Sequence, residues 1–430
     1  MGSANDQHTE SADITLMQHN APIQNARIAI VGTLAETTLG FRSELIRDFV
    51  SAGHEVFVFA TDYQPETERA IRTMGATPVR YRMEQIKTNP FADLWAIWQL
   101  YRLFKRHHIN VTYCYFSKPS IYGTLAAWLA RVPKRIAKIE GLGRVFTDCP
   151  HSETVKKRAL RHVMASLFRI SLPKAHHVLV LNYGDKADLI SFGVKRPEPI
   201  MIGGIGVCMN RYPFQLPVMD PVRFIFVGRL LPEKGVRYFV EAAQFLKQKY
   251  ANVEFVLLGM PDNRPGAIDK YELKAFVKEG TVIWPGNVKD VTPWLAKSSV
   301  FVLPSYYREG VPRSTQEALA MGRPVITTDT PGCRQTVEHG INGFSIPIHD
   351  QQALEHAMER FITNPSLIRT MGLASYKMAQ ERFDVRQINR RVIEYIGLQA
   401  PEQELSVSTD QRELSNDGPL PVDDQKASGL

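Results

Sequence analysis

Cysteine is scarce in this chain, and the four present, Cys114, Cys149, Cys208 and Cys333, form no CxxC pair. That leaves neither a disulfide framework nor zinc-ribbon spacing, and a reducing compartment is the expectation. No HExxH occurs, and the adjacent pairs His107-His108 and His176-His177 read as element ends rather than metal ligands. No apolar run reaches the length of about 18 residues that a membrane-crossing helix needs. The N-terminus lacks a charged-then-apolar leader, so secretion is not inferred. There is no DxD, which disfavours a metal-bridged diphosphate site. Walker A and GxGxxG patterns are absent too, as is any nucleic-acid-binding module.

What is present is a chain of 430 residues, 44% apolar, with a formal net charge of +8. That length suits two cores rather than one. The charge is uneven. Residues 27–200 carry 26 Lys and Arg against 15 Asp and Glu, and residues 201–400 carry 24 against 19. The ends are acidic, −3 over residues 1–26 and −5 over residues 401–430. A positive first half favours anionic partners such as lipid headgroups or diphosphates. The polar ends, 1–26 and 401–430, are expected to be disordered tails.

From Arg27 the sequence alternates short β-branched runs with amphipathic stretches. Strands are expected at 27–32, 55–61, 110–116, 135–140 and 177–182, with a helix at 39–52 closed by Gly53. The pattern restarts with strands at 223–228, 253–259, 281–285, 300–304 and 324–328, and helices at 234–249, 270–278, 314–321 and 351–362. Continuous apolar strands indicate parallel sheets covered by helices. The expectation is α/β: two doubly wound, Rossmann-like domains facing across a cleft, residues 27–205 and 206–382. The Gly- and Pro-bearing segment 203–221 is the candidate linker.

Five stretches could carry chemistry. Gly228-Arg229-Leu230-Leu231-Pro232-Glu233-Lys234-Gly235 follows an expected strand and opens an expected helix. A diphosphate there would meet two cations and the positive end of a helix dipole. A solvated Lys and a structurally paired Arg are the plain alternative. Glu309 and Glu317 lie in the next such strand-to-helix segment. A carboxylate there can accept hydroxyl protons from a sugar or ribose, and Gly310 permits close approach. Ser314-x-x-Glu317 also fits a capping box, so Glu317 could equally close the helix start. The loop from Gly32 to Gly40 reads as a phosphate contact or a plain βα turn. In Lys138-Ile139-Glu140-Gly141-Leu142-Gly143-Arg144, two glycines after a charged strand end suggest close approach of a ligand, or a tight turn. Finally, Phe91–His108 (with Trp95, Trp98, Tyr101, Phe104 and Lys105-Arg106) and Thr154–Leu172 (with Lys156, Lys157, Arg158, Arg161 and Arg169) mix basic and apolar residues. They read either as faces for an anionic membrane or as ordinary sheet-covering helices.

Phe226-Val227-Gly228-Arg229-Leu230…Glu233-Lys234-Gly235, the Glu309…Glu317 pair, Ala318–Ile326 and Val337-Glu338-His339-Gly340-Ile341-Asn342-Gly343-Phe344 together resemble glycosyltransferase family 4. The resemblance covers roughly residues 223–397. It implies the GT-B fold, retention at the anomeric carbon and no metal or other cofactor, a UDP-sugar being the donor substrate. It implies that Arg229 and Lys234 hold the diphosphate, that Glu309 contacts the donor sugar, and that Glu317 takes the ribose hydroxyls. Gly228, Gly259, Gly310 and Val311 would line that donor site, with Asn287-Val288 facing the base. On this reading Arg229, Lys234 and Glu309 are the catalytic residues.

In the first half, Ser117-Lys118-Pro119-Ser120-Ile121-Tyr122-Gly123 and Ile139-Glu140-Gly141-Leu142-Gly143-Arg144-Val145-Phe146-Thr147 resemble bacterial enzymes that extend a sugar on undecaprenyl diphosphate. Gly40, Arg42, Lys118, Glu140, Gly141, Gly143 and Arg144 would then bind the acceptor. Many members carry a His near the place of Glu140-Gly141. The last family helix crosses back to the first domain, and residues 383–400 have the place and spacing for it.

The expected activity is retaining transfer of a hexose or N-acetylhexosamine from a UDP-sugar to a lipid-linked sugar. It would take place peripherally at the cytoplasmic face of the membrane, in polysaccharide, O-antigen or glycoprotein glycan assembly. A GT-B sugar-nucleotide epimerase and a degenerate non-catalytic scaffold are the rivals. Intact Arg229, Lys234, Glu309 and Glu317 weigh against a scaffold. No nucleic-acid partner is expected.

Overall fold

The computed structural model describes residues 23–84, 89–147, 154–262 and 266–400. Two parallel sheets organise them. The first takes β1 (Arg27–Val31), β2 (Glu55–Ala60), β3 (Thr77–Arg80), β4 (Val111–Tyr115), β5 (Lys134–Ile139), β6 (His177–Val180) and β7 (Ile200–Met201), in the order 3-2-1-4-5-6-7. The second takes β8 (Val222–Val227), β9 (Val253–Leu258), β10 (Ile283–Gly286), β11 (Val300–Leu303), β12 (Val325–Thr328) and β13 (Gly343–Ile346), in the order 10-9-8-11-12-13. Each order reverses once, between β1 and β4 and between β8 and β11. In open parallel sheets ligands bind beyond the carboxyl ends of the strands at that reversal.

The central strands are buried on both faces, as their unbroken apolar runs require. Three edge strands departed from expectation by being present at all. β3 contains Pro78, which an edge strand tolerates because it has no second neighbour to bond. β7 has two residues. β13 begins at Gly343, where an added Cβ would sit 1.8 Å from the Val325 carbonyl oxygen. Only glycine lets this strand approach its neighbour.

The first helix begins at Ala35, four residues before the expected start at Leu39. Its opening amide, Ala35 N–H, donates to Asp62 Oδ1 at 2.7 Å. The capping carboxylate comes from a distant loop, which no local pattern displays. Leu39 and Gly40 therefore lie inside the helix, and the expected loop shrinks to a plain βα turn. A further helix, Ser366–Arg382, packs against Arg313–Ala320.

The chain crosses twice between the halves. After β7 it runs through Gly203, Gly204 and Gly206, all at positive φ. It returns at Phe383–Val385, where Val207 N–H donates to the Phe383 carbonyl (2.8 Å) and Val385 N–H to the Val207 carbonyl (3.0 Å). The closing helix Val385–Ile396 then packs on Ala35–Ser51, and Asn389 Nδ2 donates to Asp48 Oδ2 at 2.6 Å. Residues 23–26, expected in the tail, are built into the fold. Ile23 N–H donates to the Gly397 carbonyl (3.0 Å), and Ala26 N–H to His54 Nδ1 (3.2 Å). The rest of both expected tails lies outside the described residues.

The closing helix thus fastens the second half to the first by an apolar stripe that includes the buried residues Ile388, Val392, Ile393 and Ile396. Truncating Ile393 to Ala should lower unfolding free energy by about 2–5 kcal/mol, the usual cost of emptying such a site. Urea denaturation of the full chain, followed by circular dichroism, would check this.

Candidate active site

The turn after β8 and the loop after β11 leave neighbouring strands at the second sheet's reversal point, and they meet there. Lys234 Nζ stands 2.6 Å from Glu309 Oε1, with both side chains largely shielded from solvent. Ser305 Oγ donates to the same carboxylate oxygen at 3.3 Å. The Glu233 carbonyl accepts the amides of Tyr306 (2.9 Å) and Tyr307 (3.0 Å), which ties the two segments together. Gly235 opens the helix Val236–Lys249 at φ 78°, and a Cβ there would fall 2.1 Å from the Pro304 carbonyl oxygen. So the glycine after Lys234 is what lets this helix start sit against the β11 loop.

Arg229 is exposed, and among the described residues no hydrogen bond or ion pair holds its guanidinium. Gly228 and Gly259 pass each other closely. A Cβ on Gly259 would lie 1.9 Å from the Gly228 carbonyl oxygen, so Gly259 gives room to the turn. Trp284 Nε1 donates to the Gly259 carbonyl at 2.9 Å. Beyond it Asn287 is exposed and Val288 half-buried. An exposed cation, a cation shared with a carboxylate, and a helix N-terminus together suit a dianionic ligand.

Glu317 is buried in the helix Arg313–Ala320. The capping box is not made, because the helix starts at Arg313 with Pro312 as N-cap and no side-chain cap. Glu317 Oε1 instead accepts Arg313 Nε–H (3.0 Å) and Tyr212 O–H (2.9 Å). Arg313 also donates to the Gly206 carbonyl at 2.6 Å, and its guanidinium lies 5.7 Å from the Phe41 ring of the first half. The carboxylate is held in a fixed direction by Arg313, one helical turn earlier, and by Tyr212, which its local sequence does not contain.

The expected acceptor residues do not form one cluster. Arg42 and Lys138 both pair with Glu140 Oε1, Lys138 at 3.1 Å, and all three side chains are at most 4% exposed. Arg42 stacks on the Tyr115 ring, 4.5 Å from its centre. One carboxylate thus serves two cations inside the protein. Burial is the largest influence on Lys138 and pulls it down to about 8, with Glu140 opposing and Arg42 adding to it. For Arg42, burial acts downward but the Glu140 carboxylate and the neighbouring tyrosines outweigh it, and the guanidinium stays firmly charged. Lys118 is elsewhere, bonded to the Glu84 carbonyl (2.8 Å) and Asp93 Oδ1 (3.3 Å). Gly40 is exposed with open space beside it. Arg144 is exposed and reaches Glu233 Oε1 at 3.5 Å.

Gly141 and Gly143 do permit close approach, but of protein backbone. A Cβ on Gly141 would lie 2.5 Å from the Gly310 amide nitrogen, and Gly143 N–H donates to the Arg308 carbonyl at 3.1 Å. The Glu309 loop is therefore packed between both halves. Asn182, Asp185, Arg308 and Tyr212, to which the sequence reading gave no role, all belong to this region. Among the described residues no group of three His, Cys, Asp or Glu could hold a metal ion.

Residues 43–204 match the family described as Glycosyltransferase Family 4, and residues 221–364 match Glycosyl transferases group 1. A Campylobacter jejuni N,N'-diacetylbacillosaminyl-diphospho-undecaprenol alpha-1,3-N-acetylgalactosaminyltransferase is 28% identical, over 74% of this chain and 84% of its own length. An Escherichia coli UDP-Gal:alpha-D-GlcNAc-diphosphoundecaprenol alpha-1,3-galactosyltransferase is 25% identical, over 65% and 73%. Among solved structures, sucrose-phosphate synthase from Thermosynechococcus elongatus superposes with a TM-score of 0.67 at 20% identity, covering 86% of this chain and 98% of the other. Anabaena HepE in complex with UDP and glucose does so with 0.67 at 18%, over the same shares. The two-sheet architecture is the GT-B fold.

If Glu140 is a buried counter-ion, Glu140→Ala should cost about 3–5 kcal/mol by stranding two cations, measurable as a fall in denaturant midpoint. A residue that merely touched acceptor would leave stability unchanged. The Lys138 value of about 8 lies below the ordinary 10.5. Between those pH values the unfolded chain keeps a proton that the folded chain has released, so this group's contribution to stability rises with pH. Lys138→Met should abolish that rise in a stability–pH series.

Proposed function

The chain belongs to the two-domain glycosyltransferases, a family 4 domain followed by a group 1 domain, and from that premise we propose that it is a retaining transferase. It moves a hexose or N-acetylhexosamine from a UDP-sugar to a sugar carried on undecaprenyl diphosphate. The observation that carries the reading is the Lys234–Glu309 pair at the reversal point, beside the exposed Arg229. A donor diphosphate entering there takes Lys234 and Arg229 as counter-ions and lies at the start of the helix Val236–Lys249. Glu309, no longer matched by Lys234 alone, is left to orient the sugar hydroxyls. Glu317, fixed by Arg313 and Tyr212, accepts the ribose hydroxyls, and the base lies toward Asn287-Val288. Gly228, Gly310 and Val311 line the path between them.

The acceptor hydroxyl attacks the anomeric carbon from the face the leaving group departs. The carbon–oxygen bond to the diphosphate breaks, the hydroxyl proton passes to the departing phosphate oxygen, and UDP leaves. The protein's part is to position the partners and to stabilise charge growing on the diphosphate. The reading requires no resident cofactor. We place the acceptor on the side of the exposed Gly40 and Arg144. The names of the Campylobacter and Escherichia relatives support a lipid-linked acceptor.

Exposed apolar and basic residues of the first half support a peripheral place on an anionic membrane, and the cytoplasmic face is part of the proposal. No helix among the described residues is long and apolar enough to cross a bilayer. The helices Pro90–Arg106, Ser117–Leu129 and Val155–Ser171 lie side by side. They expose Phe91, Leu94, Trp95, Trp98, Trp128, Val155, Val163 and Ile170. The basic set divides. Lys157 and Arg161 turn inward to the carbonyls of Thr147 (2.7 Å) and Val145 (2.7 Å), while Lys156, Arg158 and Arg169 are exposed.

Lys234→Ala and Arg229→Ala should each lower kcat by about 100- to 1000-fold, the usual loss for one preorganised contact to transition-state charge. Glu309→Gln should also fall mainly in kcat, and Glu317→Gln mainly raise donor KM. Steady-state kinetics with a panel of UDP-sugars and synthetic prenyl-diphosphate sugars, beside thermal melts, would check all four. Near-wild-type turnover in folded Lys234→Ala and Glu309→Gln would sink the donor-site assignment.

Replacing Lys156, Arg158 and Arg169 with Ser should weaken sedimentation with phosphatidylglycerol vesicles, each cation near an anionic surface contributing about 1 kcal/mol. Transfer to a short water-soluble acceptor should be spared. Equal vesicle binding would return these helices to an ordinary sheet-covering role.

A further inference from the structure

The loop bearing Glu309 belongs to the second half, yet its backbone is held by the first. Residues 305–307 are tied to their own half through the Glu233 carbonyl. Of residues 308–310, Glu309 N–H still donates within its own half, to the Tyr307 carbonyl (2.7 Å), but the neighbouring backbone groups bond to the first half. The Arg308 carbonyl accepts Gly143 N–H (3.1 Å), and Arg308 N–H donates to Thr147 Oγ1 (3.0 Å). The next two carbonyls are taken by one side chain. Asn182 Nδ2 donates to the Gly310 carbonyl at 2.7 Å and lies 3.3 Å from the Glu309 carbonyl.

Asn182 sits just beyond β6 and is fully buried. It is the N-cap of the helix Tyr183–Ser191, where its Oδ1 accepts Asp185 N–H at 2.8 Å. Its Nδ2 also lies 2.9 Å from Asp185 Oδ2. Asp185, fully buried too, pairs in turn with the Arg308 guanidinium at 3.4 Å, and Asp188 pairs with the same guanidinium. The carboxamide therefore joins a helix start in one half to two consecutive carbonyls in the other, and the first of those carbonyls is that of Glu309 itself.

We propose that Asn182 is a positioning residue of the transfer reaction, fixing the Glu309–Gly310 backbone from the opposite half so that the Glu309 carboxylate stands at Lys234. The assignment rests on the reading of Glu309 as the group that orients the donor sugar. A carboxylate whose main chain is free to shift by about 1 Å loses on the order of 100-fold in rate without losing its charge. On that reading UDP itself is bound by Arg229, Lys234 and Glu317, none of which Asn182 touches directly.

The test uses the full chain and separates the helix cap from the carbonyl contacts. Asn182→Ser keeps an N-cap oxygen of good quality but is too short to reach the second half. Asn182→Ala loses both. Positioning predicts that Ser and Ala variants lose kcat alike, by about 100-fold, while UDP affinity by calorimetry changes less than about threefold. A purely structural cap predicts a near-normal Ser variant and an impaired Ala variant. Since Asn182 acts through Glu309, adding Asn182→Ser to Glu309→Gln should cost little beyond Glu309→Gln alone. A normal kcat in Asn182→Ser, or losses that multiply in the double variant, would overturn the assignment while leaving the donor site standing. Full turnover in Glu309→Gln would overturn the donor-site reading, and this assignment with it.

Discussion

β8 and β11 lie side by side because the second sheet reverses its strand order between them, and the two segments that follow cannot avoid each other. One ends in Lys234 and the other in Glu309, 2.6 Å apart. Several features of the second half serve that meeting. Gly235 removes a side chain that would strike Pro304, Gly259 gives room to the Gly228 turn, and the Glu233 carbonyl takes two amides of the opposing loop. Steric room and backbone hydrogen bonds place the pair; its own attraction is only the last contribution. A partly shielded ion pair gives up its hydration on formation, so it yields readily to a ligand that offers Lys234 a second anion.

The turn 228–235 and the segment 309–317 were visible in the sequence because their parts are local. Each brings the groups proposed to hold the donor within a few residues, and the family resemblance, rather than spacing, gave them those roles. Boundaries and edges were less legible. The first helix starts early because Asp62 caps it from afar. β3 hides behind Pro78, and β7 is too short to show a period. Glu317 shows the same limit within the site. Ser314 offered a local partner that the helix does not use, while Tyr212, more than 100 residues away, holds the carboxylate. Part of the expected acceptor set shows the same limit. Arg42 lies inside the first helix and Glu140 just beyond β5, and only the fold reveals that they face each other.

Charge in this protein is sorted by what surrounds it. Arg323 is wholly buried and donates to carbonyls of Leu295 (3.0 Å), Ala296 (3.2 Å), Ser298 (2.6 Å) and Met321 (2.9 Å), and to that of Gln215. Burial pushes it down to about 10, so it acts as a clip for chain ends rather than a site for anions. The Arg42–Glu140–Lys138 group is likewise closed on itself. Arg229, by contrast, is exposed at a helix-opening turn. With no counter-ion among the described residues it contributes little to stability, which fits its proposed role toward an external charge.

The seam between the halves adds a constraint that neither half carries alone. Arg308 N–H and three successive carbonyls, Arg308 to Gly310, take hydrogen bonds from the first half, while the side chain between them points to a lysine of the second. Ordering those backbone groups costs conformational entropy that the second half does not offset by itself. Asp185 has its carboxyl raised to about 7, first by burial and with Arg308 and Asn182 opposing, so burying charge at this seam carries a cost. A structure that accepts that cost at one loop, and at the loop bearing Glu309, makes the geometry of the carboxylate depend on contact between the halves. Under the proposed function, charge recognition is completed in the second half, while orientation of the reacting sugar waits on the first, the half that faces the acceptor.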